Sequence, residues 1–281
     1  IEIIDVSTFY EAPISFFNQK LDKRVLKYFK LKSKKRPNLT PWKKITKITL
    51  NTKKLINIAI IGKYVNLKDA YKSLDEALIH GGISNKVKVN LIRIESDNLK
   101  VNQIRKKLKN VSGLLIPGGF GKRGTEGKIS AIKYARENNI PFLGICFGMQ
   151  MAIIEFARNK LKIKKAGSSE LDKNCYPVIG LINEWDKNGK IIMGTDKNLG
   201  GTMRLGLYEA KLRNNSAIKK IYKSNSINER HRHRYEVNNN LKNEFERKGL
   251  IFSGMSPDYN LPEIIELKNH PWFIGVQFHP E

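Results

Sequence analysis

Cysteine is scarce in this sequence. Only Cys146 and Cys175 occur among 281 residues, which excludes a disulfide framework and fits a reducing, cytoplasmic compartment. Neither stands in a CxxC pair or a Cys/His cluster, so no metal site is expected. Long apolar runs are missing too: none approaches the roughly 20 residues of a membrane-spanning helix, and no membrane partner is expected. Residues 1–10 carry no basic segment ahead of an apolar one, so no secretory leader is read there. The first residue is Ile1 rather than Met, as in a piece of a longer protein. Acidic residues are the remaining shortage, 26 against 52 Lys and Arg, for a formal net charge of +26. Such an excess suits a polyanionic partner. Here it is scattered in pairs such as Lys53–Lys54, Lys106–Lys107 and Lys219–Lys220, with no aromatic-interleaved stripe. Lysine spread over solvated faces accounts for it, and no nucleic-acid partner is expected.

Apolar residues make up 40 % of the chain, enough for a buried core. The first fifty-odd residues differ from the rest. Residues 21–35 form a basic stretch with Leu21, Val25, Leu26 and Phe29 at helical spacing. Pro37, Thr40 and Pro41 mark a turn and a new helix start, and 43–54 reads as a charged linker with a domain boundary at its end. From residue 55 the pattern alternates. Strands are predicted at 55–61, 87–94, 113–116 and 142–145, and helices at 67–80, 101–108, 126–138 and 147–157. Further strands are predicted at 178–182, 250–253, 263–267 and 273–278. Alternation of this kind predicts a parallel sheet wrapped by helices. No internal repeat or low-complexity tract is visible.

Three short segments carry chemistry. Residues 141–150, PFLGICFGMQ, have the G-x-C-x-G form of a nucleophile elbow. A strand turning sharply into a helix lifts Cys146 above the sheet, and the helix N-terminus favours its thiolate. The N–H of Phe147 then points where an oxyanion would form. A buried structural cysteine between packing glycines is the alternative. Residues 117–121, PGGFG, follow a predicted strand, where ligand crevices of parallel sheets lie, and Gly119 can donate a second oxyanion N–H. Alone, this loop equally suits a phosphate cradle or a plain turn. Residues 275–281, GVQFHPE, place His279 and Glu281 two apart around Pro280, as a base and its orienting carboxylate. His270, ahead of the last strand in NHPW, is the rival histidine and reads as a turn residue.

In this order the three segments resemble the class I (triad) glutamine amidotransferases, which release ammonia from glutamine with Cys, His and Glu. The resemblance covers 55–281. Residues 229–238 (ERHRHRYEVN) and 199–206 (LGGTMRLG) are similar to the CTP synthases within that family, as are 117–124, 131–149 and 269–281. Residues 1–31 resemble the tail of the synthase (ammonia ligase) domain and 32–54 its linker to the amidotransferase domain at 55–281. The resemblance implies an α/β fold with a central, mostly parallel, flavodoxin-like sheet flanked by helices. It implies a glutaminase supplying ammonia for the ATP-dependent amination of UTP to CTP in pyrimidine nucleotide biosynthesis. No cofactor is implied for this chain. ATP and Mg2+ would serve the synthase domain, GTP would activate with the loop at 200–206 contributing, and the full-length enzyme would be a homotetramer.

By the same resemblance Cys146 is the nucleophile, His279 the general base and Glu281 its orienting group. Gly119 and Phe147 are the oxyanion donors. Phe120, Gln150, Glu170 and Arg234 hold glutamine, and a carboxylate and a guanidinium do suit an amino-acid zwitterion. One departure is Phe147, where the family more often has Leu. The basic run 230–235 reads as substrate binding and contact with the ligase domain. A glutaminase serving another synthase, an inactive homologue and an α/β hydrolase with a cysteine nucleophile are the rival readings. The 229–238 stretch argues against the first and the intact triad residues against the second. The order of carboxylate and histidine argues against the third.

Overall fold

A computed structural model describes the chain apart from residues 34, 64, 66, 182–184, 188–189, 193–202 and 258–259. Its contacts divide it into two compact units, 1–56 with 73–90, and 57–72 with 91–281.

The first unit is helical: α1 (Ala12–Asn18), α2 (Leu21–Tyr28), α3 (Thr40–Asn51) and most of α4 (Lys72–Ser84). The stretch at 43–54 is therefore not a plain charged linker. Pro41 sits in the first turn of α3, where its missing N–H costs nothing. Ile45, Thr46, Ile48 and Thr49 face inward and Lys43, Lys44 and Lys47 outward. The Thr49 and Thr52 hydroxyls donate to the carbonyls one turn back, so the lysines decorate one face of a real helix.

The strands in chain order are β1 (Leu55–Gly62), β2 (Lys88–Glu95), β3 (Gly113–Ile116), β4 (Phe142–Ile145), β5 (Ala166–Ser168), β6 (Tyr176–Leu181), β7 (Trp185–Lys187), β8 (Lys190–Ile192), β9 (Arg204–Leu212), β10 (Ser226–His233), β11 (Tyr235–Val237), β12 (Leu250–Met255), β13 (Pro262–Leu267) and β14 (Phe273–Val276). The remaining helices are α5 (Val101–Leu108), α6 (Thr125–Glu137), α7 (Phe147–Asn159), α8 (Ala217–Tyr222) and α9 (Lys242–Arg247). Nine strands form the main sheet in the order β10-β9-β12-β13-β14-β4-β3-β1-β2. The strands at its centre, β1, β3, β4 and β14, pair in parallel. Beyond β14 the pairing turns antiparallel through β13, β12, β9 and β10. Two small sheets, β11-β6-β5 and β7-β8, lie apart from it.

The core is built on α7, in which every residue from Phe147 to Ala157 is buried. Its N-terminus fits against the sheet because two positions have no side chain. A Cβ on Gly144 would stand 2.7 Å from the Gly148 carbonyl carbon, and one on Gly148 would overlap the Ile116 carbonyl oxygen. The two glycines of G-x-C-x-G are thus a packing requirement between β4, α7 and β3.

Candidate active site

Cys146 stands on the turn from β4 into α7 with φ 50° and ψ −103°. That is a strained conformation for a residue with a side chain, and it is held by the surrounding backbone. The Cys146 N–H donates to the Val276 carbonyl at 2.7 Å, and its carbonyl accepts from the Gln150 N–H at 3.2 Å. The thiol is buried. Its pKa is pushed up to about 12: burial is the main cause, Glu236 and Glu281 add to the rise, and the Phe147 N–H at the sulfur and the Arg232 charge offset part of it. Such a thiol becomes a nucleophile only when a neighbouring base accepts its proton.

The next strand brings a histidine and a carboxylate to this end of the sheet. β14 runs parallel to β4 with Gly275 opposite Gly144 and Val276 opposite Ile145, so the residues after Val276 emerge beside Cys146. The Gln277 amide nitrogen lies 3.6 Å from Sγ. Two residues on, the His279 main-chain N–H donates to the Arg230 carbonyl at 2.9 Å. His279 Nδ1 lies 2.9 Å from Glu281 Oε1, so Nε2 is the ring nitrogen left outside that contact. The His279 ring also packs on the PGGFG loop: a Cβ on Gly118 would stand 2.7 Å from its Cε1. The three segments singled out in the sequence therefore meet at the carboxyl ends of β3, β4 and β14.

His270 is elsewhere, in the turn before β14. Its Nε2 faces the Ala135 carbonyl at 3.3 Å and its Nδ1 accepts the Trp272 N–H at 3.2 Å. With both ring nitrogens engaged it is the turn residue that the sequence suggested.

The remaining expected residues are placed as follows. Gly119 is exposed, with open space where a side chain would be. Phe120 is 73 % exposed at the tip of the loop. The Lys63 ammonium donates to the Phe120 and Gly121 carbonyls. Glu170, just past β5, accepts the Gly121 N–H at 3.0 Å through Oε1. Arg234 is half-buried at the break between β10 and β11. Gln150 is buried in the first turn of α7, and its amide nitrogen donates to the Tyr235 carbonyl at 3.0 Å and to Gln277 Oε1 at 3.3 Å. Of the loop at 200–206, residues 200–202 lie outside the described residues. Arg204 opens β9 and is 3 % exposed, closed off in ion pairs.

Sequence reasoning missed Gln277, which touches the sulfur, and Glu263; it singled out the stretches that hold Arg204, His231, His233 and Glu236 without seeing that they are buried together. A signal for part of that set was present. In 230–234 histidine and arginine alternate, and a strand turns alternate residues to opposite faces.

A family model described as glutamine amidotransferase class-I matches residues 66–281. The chain is 75 % identical over 281 residues to a CTP synthase of Pelagibacter ubique, covering all of this chain and 52 % of that one. It is 50 % identical over 282 residues to a CTP synthase of Rhodospirillum rubrum, again over 52 % of the relative. It therefore spans about half the length of the curated relatives it matches. A solved structure, the glutaminase domain of Trypanosoma brucei CTPS with bound acivicin, superposes with a TM-score of 0.72 at 34 % identity. That match covers 80 % of this chain and 86 % of the other.

Proposed function

The chain belongs to the class I glutamine amidotransferases, and on that premise we propose that it hydrolyses L-glutamine to glutamate and ammonia through a thioester on Cys146. The observation that carries the reading is the strained Cys146 at a strand-to-helix turn, with the His279–Glu281 pair delivered beside it by the adjacent parallel strand. The Cys146 thiol gives its proton to His279 as sulfur attacks the side-chain carboxamide carbon. The oxyanion is held by the N–H groups of Gly119 and Phe147. His279 returns the proton to the departing nitrogen, the C–N bond breaks, and ammonia leaves a glutamyl thioester. Water then adds with its proton passing to His279, the C–S bond breaks, and the sulfur is reprotonated as glutamate departs. Glu281 keeps His279 in the required tautomer. Glu170 and Arg234 bind the ammonium and carboxylate of glutamine. Phe120 covers the substrate from the loop tip, and Gln150 braces the floor of the site.

The similarity to CTP synthases supports a wider proposal. The ammonia serves a synthase domain of the same protein, where ATP with Mg2+ activates UTP for amination to CTP, in a cytoplasmic homotetramer stimulated by GTP. Arg204, with its charge already met by Glu236 and Glu263, is an unsuitable direct contact for a nucleotide.

The test is ammonia release from glutamine by this chain beside Cys146→Ala, and by the longer protein with UTP, ATP and GTP. Release that vanishes in the variant, with CTP formed by the longer protein, is expected. No release from either protein under any of these conditions would overturn the reading.

A further inference from the structure

A chain of side-chain amides ends on the Cys146 sulfur. Gln277 directly follows β14 and is fully buried. Its main-chain N–H donates to the Glu263 carbonyl at 2.8 Å, and the carbonyl of Val276, one residue earlier, accepts the Cys146 N–H at 2.7 Å. Backbone bonds thus anchor both residues, and Gln277 Nε2 stands 3.6 Å from Sγ, where it donates to the sulfur. Gln277 Oε1 accepts from Gln150 Nε2 at 3.3 Å, and the same nitrogen donates to the Tyr235 carbonyl on β11 at 3.0 Å. Gln150 is buried as well, and its main-chain N–H donates to the Cys146 carbonyl at 3.2 Å. The chain of amides therefore runs from β11 in the small sheet, through α7, to the tail of β14 and the sulfur.

The direction of these bonds is set at the far end. A main-chain carbonyl only accepts, so Tyr235 requires the NH2 of Gln150 and not its oxygen. That NH2 has a second hydrogen, and the Gln277 side chain presents its oxygen to it. An amide that turns its oxygen to Gln150 turns its own NH2 to Cys146. Rotating the Gln277 amide by half a turn would set two NH2 groups against each other at one end and an oxygen against the sulfur at the other. In a fully buried position neither mismatch is relieved by water. The sulfur therefore faces a donor that is aimed before any substrate arrives. A charged sulfur in a buried site has lost its hydrogen bonds to water and needs such donors. The Phe147 N–H is one of them, but on the mechanism proposed above it also serves the oxyanion. Gln277 stays with the sulfur.

We propose that Gln277 is a further catalytic residue, donating a hydrogen bond to the Cys146 sulfur whenever that atom carries charge, and that Gln150 is the positioning residue that aims it. The proposal deepens the glutaminase reading and rests on it. The bond acts twice. Before attack it favours the thiolate formed as the thiol proton passes to His279. In the thioester the sulfur is neutral, bonded to two carbons and a poor acceptor. Once the oxygen of water has bonded to the acyl carbon and its proton has passed to His279, the C–S electron pair returns to sulfur. Gln277 meets that charge until His279 gives the proton back. Between these moments the charge lies on the substrate oxygen, held by the N–H groups of Gly119 and Phe147. Gln277 is thus to the sulfur what those two groups are to the oxyanion.

Two measurements test this. The first is the rate of Cys146 alkylation by iodoacetamide near neutral pH, in a Cys175→Ser background, for Gln277→Met, Gln150→Met and the double variant. Methionine matches the length of glutamine and donates nothing. Each single variant is expected to react at least about threefold more slowly, the net effect of one pKa unit after the accompanying gain in intrinsic nucleophilicity. Because Gln150 acts through Gln277, the double variant is expected to be no slower than Gln277→Met alone. Undiminished reactivity in either single variant, or losses that multiply in the double, overturns the proposal. The second measurement leaves both glutamines in place, so it stands even where those variants fail to fold. Nitrogen NMR of the Gln277 side-chain amide is expected to show one hydrogen displaced downfield by the sulfur, and Cys146→Ala is expected to abolish the displacement. An amide hydrogen that keeps its position when the sulfur is removed overturns the proposal. Neither readout needs turnover. A chain that shows both effects and releases no ammonia counts against the glutaminase reading, and leaves the hydrogen bond to the sulfur standing.

Discussion

At the residue scale, the segments that carry Cys146, His279 and Glu281 were legible as a group because the backbone demands of each are visible in sequence. Glycine on both sides of Cys146 signals the close packing that the elbow shows, and His279 and Glu281 straddle a proline at the end of a strand. Gln277 was not legible. A glutamine in an apolar strand tail gives no sign of what it touches until β14 is known to lie beside β4. Phe147 is the residue whose effect the sequence left most open. Its backbone N–H serves the sulfur whatever the side chain is, and its ring lies under two cations, with Lys128 Nζ 5.1 Å and Lys63 Nζ 6.0 Å from the centroid. Lys128 is buried, and burial followed by the Lys63 charge lowers its pKa to about 8. Phe147→Leu should therefore lose about 1 kcal/mol of stability through the cation–π contacts while keeping kcat within about threefold. Urea denaturation and ammonia release measure the two effects. A hundredfold loss of kcat with unchanged stability would show that the ring itself shapes the reaction.

Elements whose burial is apolar were read closely at the next scale up. The expected ranges 101–108, 113–116 and 142–145 coincide with α5, β3 and β4. β9 and β10 escaped because RLGLYEAKL and SINERHRH carry charged groups along most of their length. Their inward faces are closed by ion pairs and imidazoles, which hydrophobic periodicity does not register. A similar device joins α6 to α7. Arg136 Nε and Nη2 grip Glu155 at 2.9 Å and 2.8 Å, and Glu155 is fully buried. Removing one partner strands the other charge in a dry site, so Glu155→Ala should cost about 3–5 kcal/mol, whereas replacing both by methionine should recover most of that loss. Chemical denaturation of the single and double variants decides it. A double variant as unstable as Glu155→Ala would mean that packing at 155, not the stranded guanidinium, sets the cost.

The charge of the whole molecule was visible from the first count, but its consequence depends on where the pairs lie. Several ion pairs join side chains that are at least partly exposed, including Arg123–Asp97 at 2.7 Å, Arg158–Glu126 at 2.9 Å and Arg213–Glu246 at 2.9 Å. Pairs of that kind contribute at most about 1 kcal/mol each and are screened by salt. Against them stands a net charge of +26, whose mutual repulsion is also screened once the Debye length falls to about 10 Å near 0.1 M salt. The two effects have opposite signs. The repulsion sums over many lysines at distances beyond any single pair, so it should win. Raising sodium chloride from about 0.01 to 0.3 M should then increase the denaturation midpoint, by about 2–4 °C for each kcal/mol of repulsion relieved. A midpoint that falls with salt would show instead that the paired arginines dominate, and that the lysine excess is too dispersed to destabilise the fold.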